Sequence, residues 1–154
     1  MIYPPAGDNM QLSKLSHAKE VLRAANEIDV RATVLSKEEA EDIINHAINK
    51  FCPTKLTGHL SIGGNANSIL TEKYEFSFSK KLEEKPAFIF FEQNDQQKNL
   101  VISIDNARFL SPLMENCYGM EYFVTDQDFS YLIAVNWYAI EFVGECSALL
   151  NPEL

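Results

Sequence analysis

An α+β domain, with two N-terminal helices packed on an antiparallel or mixed sheet of about six strands, is the fold class that this sequence predicts. Three observations carry it. Apolar residues recur twice at helical spacing before residue 53, the period falls towards two from residue 74 onward, and the densest apolar and aromatic stretch, Met120 to Gly144, comes late in the chain. A hydrophobic content of 46% in 154 residues is enough for one substantial core, so residues 1–154 are read as a single domain.

Residues 1–9, with Pro4, Pro5 and Gly7, have no periodicity and read as a loose lead-in. From Gln11 to Asn26, Leu15, Ala18, Leu22 and Ala25 recur at helical spacing with Ser13 as N-cap, giving a first amphipathic helix. Residues 28–35 alternate and predict a short strand or an extended connector. Ser36-Lys37-Glu38-Glu39 is a capping box, Ala40, Ile43, Ile44, Ala47, Ile48 and Phe51 form an apolar stripe, and Pro53 stops the second helix. The spacing predicts that Ile44 and Ile48 are buried and that His46, off the stripe, is solvated.

Thr54 to Asn67 carries Gly58, Gly63 and Gly64 and reads as a turn-rich link; it lacks the Gly-Lys-Ser/Thr of a phosphate loop. Strict alternation of Tyr74, Phe76 and Phe78 with small or polar residues predicts a strand over Tyr74–Ser79. Ala87–Glu92 and Leu100–Asp105 follow as strands, so residues 74–105 predict an antiparallel meander. Ala107–Leu110 reads helical, and Ser111-Pro112 reads as an N-cap and first position for a further turn over Leu113–Tyr118, closed by Gly119. Glu121–Thr125, Tyr131–Asn136 and Tyr138–Val143 predict the central strands, with Asn136 in the left-handed conformation at the last turn and Glu141 pointing outward. A helical turn is expected at Ser147–Leu150, before Pro152.

No apolar run of about 18 residues is present, and MIYPPAGDNM has neither the basic nor the apolar region of a signal peptide, so a cytoplasmic protein with no membrane partner is expected. Cys52, Cys117 and Cys146 are odd in number and lack a CxxC pair, which predicts reduced, mostly buried thiols rather than disulfides or a zinc site. Net charge is −9: residues 1–80 hold ten acidic and nine basic residues, residues 81–154 twelve and four. This asymmetry argues against a nucleic-acid partner and suits a basic protein.

No catalytic set assembles from the residue types. His17, His46 and His59 all precede residue 60, without Gly-x-Ser-x-Gly, HExxH or a Cys/His cluster. Neither an enzyme nor a cofactor is therefore expected. Asp126 and Asp128 have the spacing of a metal-holding pair in a hydrolase, but a turn role, with Asp128 closing a Thr125-x-x-Asp128 cap, weighs more. Trp137, the only tryptophan, falls at a hairpin tip, where it either folds back over the sheet or anchors a partner.

Glu115-Asn116-Cys117-Tyr118-Gly119, then Glu121-Tyr122-Phe123-Val124-Thr125, then Asp128-Phe129-Ser130-Tyr131-Leu132-Ile133 and Asn136, resemble small immunity proteins of bacterial polymorphic-toxin and contact-dependent growth-inhibition loci. The resemblance spans roughly residues 86–145. It departs after Asn136, where Trp137-Tyr138 replaces the His or Asp residues common in those proteins. It implies an acidic α+β protein that binds a cognate toxin domain, often a nuclease, and blocks it. The corresponding expectation is a toxin-binding face at one acidic end of the central sheet, made of Glu121, Asp126, Asp128, Trp137, Glu141 and Glu145. The competing readings are a metal-dependent hydrolase using Asp126 and Asp128, or an acidic adaptor or regulatory module.

Overall fold

The structure, a computed structural model, describes residues 16–150. The expected lead-in, Ser13, Leu15 and Pro152 lie outside them. Ser16, not Ser13, caps the first described helix, α1 (His17–Glu27), its side chain accepting from the Lys19 N–H. α1 buries Ala18, Val21, Ala24 and Ala25, while Leu22 is half-buried, so the buried stripe is turned from the expected one and is made of smaller side chains. After β1 (Ala32–Val34) comes α2 (Lys37–Phe51), whose capping box forms as expected: Ser36 Oγ accepts from Glu39 N, and Glu39 reaches back to Ser36 N. Cys52 closes α2 in the left-handed conformation (φ 51°) and Pro53 follows.

The remaining elements are β2 (Asn67–Leu70), a single helical turn α3 (Thr71–Tyr74), a 3-10 turn at Phe78–Lys81, β3 (Ala87–Phe90), β4 (Val101–Ile104), a 3-10 turn at Ala107–Phe109 running into α4 (Leu110–Glu115), β5 (Tyr122–Asp126), β6 (Tyr131–Val135), β7 (Ala139–Gly144) and α5 (Ser147–Leu150). The strands form one sheet of seven, in the order β1-β4-β3-β5-β6-β7-β2, and every neighbouring pair is antiparallel.

The fold class is α+β, with the two N-terminal helices packed on the sheet, but β1 comes between them and the described residues form seven strands rather than about six. The clearest miss is Tyr74–Ser79, which is not a strand. β2, which begins at the last residue of the stretch read as a turn-rich link and continues through residues assigned no element, takes the edge position beside β7. The chain leaves the sheet at Thr71, whose N–H donates to Tyr138 O and whose Oγ1 donates to Asn136 O. The alternating aromatics that follow have no strand to pair with; Phe78 enters the core and Phe76 is exposed. The second miss is Ser111, which lies within α4 rather than capping a later turn. Ser111 N donates to Ser79 Oγ and Ser79 N to Ser111 Oγ, a buried reciprocal pair that pins the 3-10 turn against α4, and Pro112 is tolerated because it falls in the first turn. β3 and β4 pair as the expected meander does.

Both faces of the sheet are covered, which accounts for the unbroken burial of β5 and β6. On one face Ile89, Ile102, Tyr122, Val124, Ile133, Val135, Ile140 and Phe142 pack with α1 and with Leu82, Leu110 and Leu113. On the other, Phe90, Phe123, Leu132 and Ala134 pack beneath Ala40, Ile44 and Ala47 of α2 and beneath Leu60 and Ile62, with the Phe90 and Phe123 rings stacked 5.0 Å apart. α2 is tied to the β5–β6 turn as well. His46, exposed as expected, also stacks on Phe129 at 3.9 Å, and Lys50 Nζ donates to Phe129 O. Phe129 has φ 51°, Gly144 φ 98°, and a Cβ on Gly144 would lie 2.4 Å from Ser130 O, so only glycine fits where β7 passes this turn.

Ile44 is buried while Ile48 is half-buried at the margin of the same cluster, so of the two expected core residues Ile44 is the stronger. Ile44→Ala is expected to destabilise the fold by about 2–5 kcal/mol and Ile48→Ala by less; chemical denaturation of both variants checks the order.

Candidate functional site

The site grows out of the β6–β7 turn. Asn136, buried at the end of β6, accepts through Oδ1 from Tyr138 N and Ala139 N, both at 2.9 Å, and donates through Nδ2 to Leu60 O at 2.9 Å. It does not take the left-handed conformation expected of it; its side chain builds the turn instead. Trp137 N donates to Glu121 Oε2 at 3.3 Å. The Trp137 ring lies over Gly119, where a Cβ would meet the indole at 3.1 and 3.2 Å, so the glycine lets the ring pack close.

Glu121 is the centre of this arrangement. Its carboxylate is 8% exposed and accepts from Leu60 N and from His59 Nδ1, each at 2.8 Å, as well as from Trp137 N. Glu141 does the same two strands away, on β7: it accepts from Ile62 N and Gly63 N at 2.9 Å and from Ser61 Oγ at 3.1 Å. Carboxylates removed from water need such donors, and here the donors are the backbone of residues 60–63, which is thereby clasped to the sheet.

Around this frame Tyr118, Trp137 and Tyr138 are 48%, 50% and 70% exposed. Tyr138 meets the His59 ring edge-on at 5.4 Å. The Tyr118 hydroxyl hydrogen-bonds with His17 Nδ1 at 3.2 Å, and Tyr118 N donates to Glu20 Oε2. His17 also packs edge-on against Phe91, and burial lowers its pKa below the ordinary imidazole value despite the opposing pull of Glu92.

The expected acidic face does not come together. Glu121 and Trp137 share one end of the sheet, whereas Asp126, Asp128 and Glu145 lie at the other, about 17 Å away at roughly 3.4 Å per strand residue. Glu141, expected to point outward into solvent, is half-buried under the loop it holds. Asp126 is buried: Oδ1 accepts from Ser130 N at 2.7 Å and Oδ2 from Ser130 Oγ. Asp128 is exposed, with Lys85 Nζ 3.9 Å away, and it closes no Thr125 cap because Thr125 is a strand residue whose Oγ1 donates to Tyr131 O. Asp126 and Asp128 therefore serve different partners. Among the described residues no group of three or more His, Cys, Asp or Glu side chains is placed to hold a metal ion. A cleft beside Asp126 is lined by Lys85, Ser130, Tyr131, Glu145 and Cys146, and the Tyr131 hydroxyl is buried without a hydrogen-bond partner. The thiols are only partly as expected: Cys146 is buried and Cys117 half-buried, burial pushing each pKa up to about 12, but Cys52 is exposed.

Sequence reasoning placed Trp137 at this end but passed over Tyr118, Tyr138 and His59. The signal for two of them was present, since Tyr118 precedes a glycine and Tyr138 follows Trp137 in a turn. No family model matches the chain, and neither curated proteins nor solved structures provide a match. No described helix is long and apolar enough to cross a membrane.

Glu121→Ala orphans the buried Leu60 N–H and frees the part-buried Trp137 N–H, so a loss of about 1–3 kcal/mol from the Leu60 donor and less from Trp137 is expected, together with faster hydrogen exchange at both amides. Exchange as slow as in the parent would show that Glu121 does not hold the loop. For His17 the unfolded chain takes up a proton near pH 6.5 while the folded chain resists it to lower pH. Stability should therefore fall as pH drops below 6.5, until the folded-state value is passed. His17→Gln should flatten that part of the pH dependence, which denaturation midpoints across the range will reveal.

Proposed function

We propose that this chain is an immunity protein that binds and neutralises a cognate, basic toxin domain, a nuclease in the leading case, in the cytoplasm of the cell that makes it. The observation that carries the reading is the exposure of Trp137 and Tyr138 on the β6–β7 turn, whose backbone Glu121 and Asn136 fix, together with that of Tyr118 after α4, which Glu20 and His17 hold. Large amphipathic side chains held rigidly lose little freedom on binding and make strong interface anchors. The net charge of −9 supports a cationic partner, which it would draw in at long range. The resemblance over residues 86–145 supports the same assignment.

Within this reading the six residues expected at the interface have different roles. Trp137 is an anchor, joined by Tyr118 and Tyr138. Glu121 and Glu141 act through the frame, Asp126 holds its own turn, and Asp128 and Glu145 contribute to the field from the far end. A hydrolase reading draws no support from Asp126 and Asp128, which bond to separate partners.

The test takes the domain encoded immediately upstream of this reading frame as the toxin, and measures growth rescue on co-expression and binding kinetics in solution. Rescue and a stable complex are expected. Trp137→Ala should raise the dissociation rate roughly thirtyfold, or about 2 kcal/mol, whereas Asp128→Asn with Glu145→Gln should slow association and weaken its salt dependence. Failure of rescue by the parent chain would refute the function; rescue with unchanged kinetics in Trp137→Ala would refute the face.

A further inference from the structure

The edge of β2, unpaired among the described residues, carries an inference independent of the toxin reading. Thr71 N donates to Tyr138 O, and the register pairs Leu70 with Ala139, Ile69 with Ile140 and Ser68 with Glu141. Hydrogen-bonded and non-bonded pairs alternate along an antiparallel ladder, so Asn67, Ile69 and Thr71 bond to β7 while Ser68 and Leu70 turn their backbone groups outward. Asn67, Ser68 and Leu70 are exposed, and Leu70 is 61% exposed. Ala66 has the same outward phase as Ser68; its N–H is taken by Gly63 O, which leaves its carbonyl.

Edge strands are normally guarded by charged side chains, proline, bulges or extreme shortness. The opposite edge has such guards: β1 is three residues long, and Arg31 beside it pairs with Asp105 at 3.6 Å. Ala66-Asn67-Ser68-Ile69-Leu70 has no charge and no proline. We propose that β2 is a self-association edge, at which two copies of the chain pair antiparallel through Ala66–Leu70 about a two-fold axis at Ser68. In that register Ser68 N–H donates to the carbonyl of the second copy's Ser68, and Leu70 N–H donates to the carbonyl of its Ala66, each reciprocally. The outward pattern is its own complement. Leu70 then covers the second copy's Ala66, which already packs at the margin of the core beneath α2, so the apolar layer on that face continues across the axis. No like charges meet across the paired strands. The chains repel one another only through their net charge of −9, so added salt should strengthen the pairing, opposite to its effect on a cationic partner.

Sedimentation of the full chain at rising concentration, at low and high salt, provides the first readout. A species of twice 17.5 kDa that gains ground with salt is expected. Leu70→Lys, which installs an edge charge, should weaken it at least about tenfold. Ser68→Pro, which removes an outward N–H, should abolish it, with folding of both variants checked by their unfolding midpoints. In a Cys52→Ser background, Ser68→Cys should cross-link under oxidised glutathione, since facing residues of a hydrogen-bonded pair have Cα atoms about 5.5 Å apart, within disulfide reach. Asn67→Cys, off the axis, should not. A chain that is monomeric under all conditions, a dimer that survives Leu70→Lys, or one that salt dissolves would each overturn the proposal; if Ser68→Pro fails to fold, Leu70→Lys and the cross-link decide alone.

Discussion

The carboxylate of Glu121 is the interaction on which the aromatic end of this molecule depends. It stands where the chain enters β5, largely removed from bulk water, and it gathers donors from two places far apart in the sequence: His59 and Leu60 in the long link after α2, and Trp137 in the β6–β7 turn. A buried carboxylate with too few donors destabilises a fold, while one that is fully met imposes a geometry on whatever meets it. Here it imposes the position of the Trp137 backbone. Asn136 repeats the device from the neighbouring strand end, since its amide joins the same link at Leu60 O while its carbonyl oxygen shapes the turn. The exposed aromatics are thus mounted on a frame set by buried polar groups, not by packing of the rings alone.

That frame also explains why the link from residue 54 to 66 is not loose despite its glycines. Leu60 and Ile62 enter the core beneath α2, the Leu60 N–H donates to Glu121, and the Ile62 and Gly63 N–H groups donate to Glu141. Each carboxylate replaces the ladder hydrogen bonds that an irregular segment cannot make for itself. The link serves as a cover for part of one sheet face, completing what α2 starts, and the sheet is enclosed on both sides without a further helix.

What was legible in the sequence follows physical lines. The capping box at Ser36 and the buried runs of β5 and β6 were readable because they depend on local chemistry and on composition. Tyr74–Ser79 misled because alternation describes a surface that is half-buried, and a helical turn followed by a 3-10 turn can present Tyr74 and Phe78 inward just as a strand would. Asn67–Leu70 was missed for the converse reason: an edge strand needs little apolar content, and Ile69 alone is buried in it. The site was misread at the level of charge. Sequence gives the number of carboxylates but not their direction, so Glu121, Asp126 and Glu141 counted as acidic surface when each is engaged by the protein's own donors. Nothing local distinguishes Glu121 and Glu141 from Asp128 or Glu145, because their partners, Leu60 for Glu121 and Ile62 for Glu141, lie 61 and 79 residues away, whereas Asp126 is met by Ser130, four residues on.

The net charge keeps its meaning even so. A carboxylate bonded to backbone amides still carries its charge, and the field felt by a distant cation depends on the sum, attenuated by screening, far more than on which groups are bare. Contact works at shorter range and depends on what is exposed, rigid and apolar. Under the proposed function these two roles separate in space: the charge that would attract is concentrated in the C-terminal half, including groups locked inside it, while the aromatic surface that would grip is confined to one end of the sheet. Substitutions that alter attraction and those that alter grip should therefore fall on different residues, and the internal carboxylates belong to a third class, whose loss acts by releasing the loop and turn that give the aromatic end its shape.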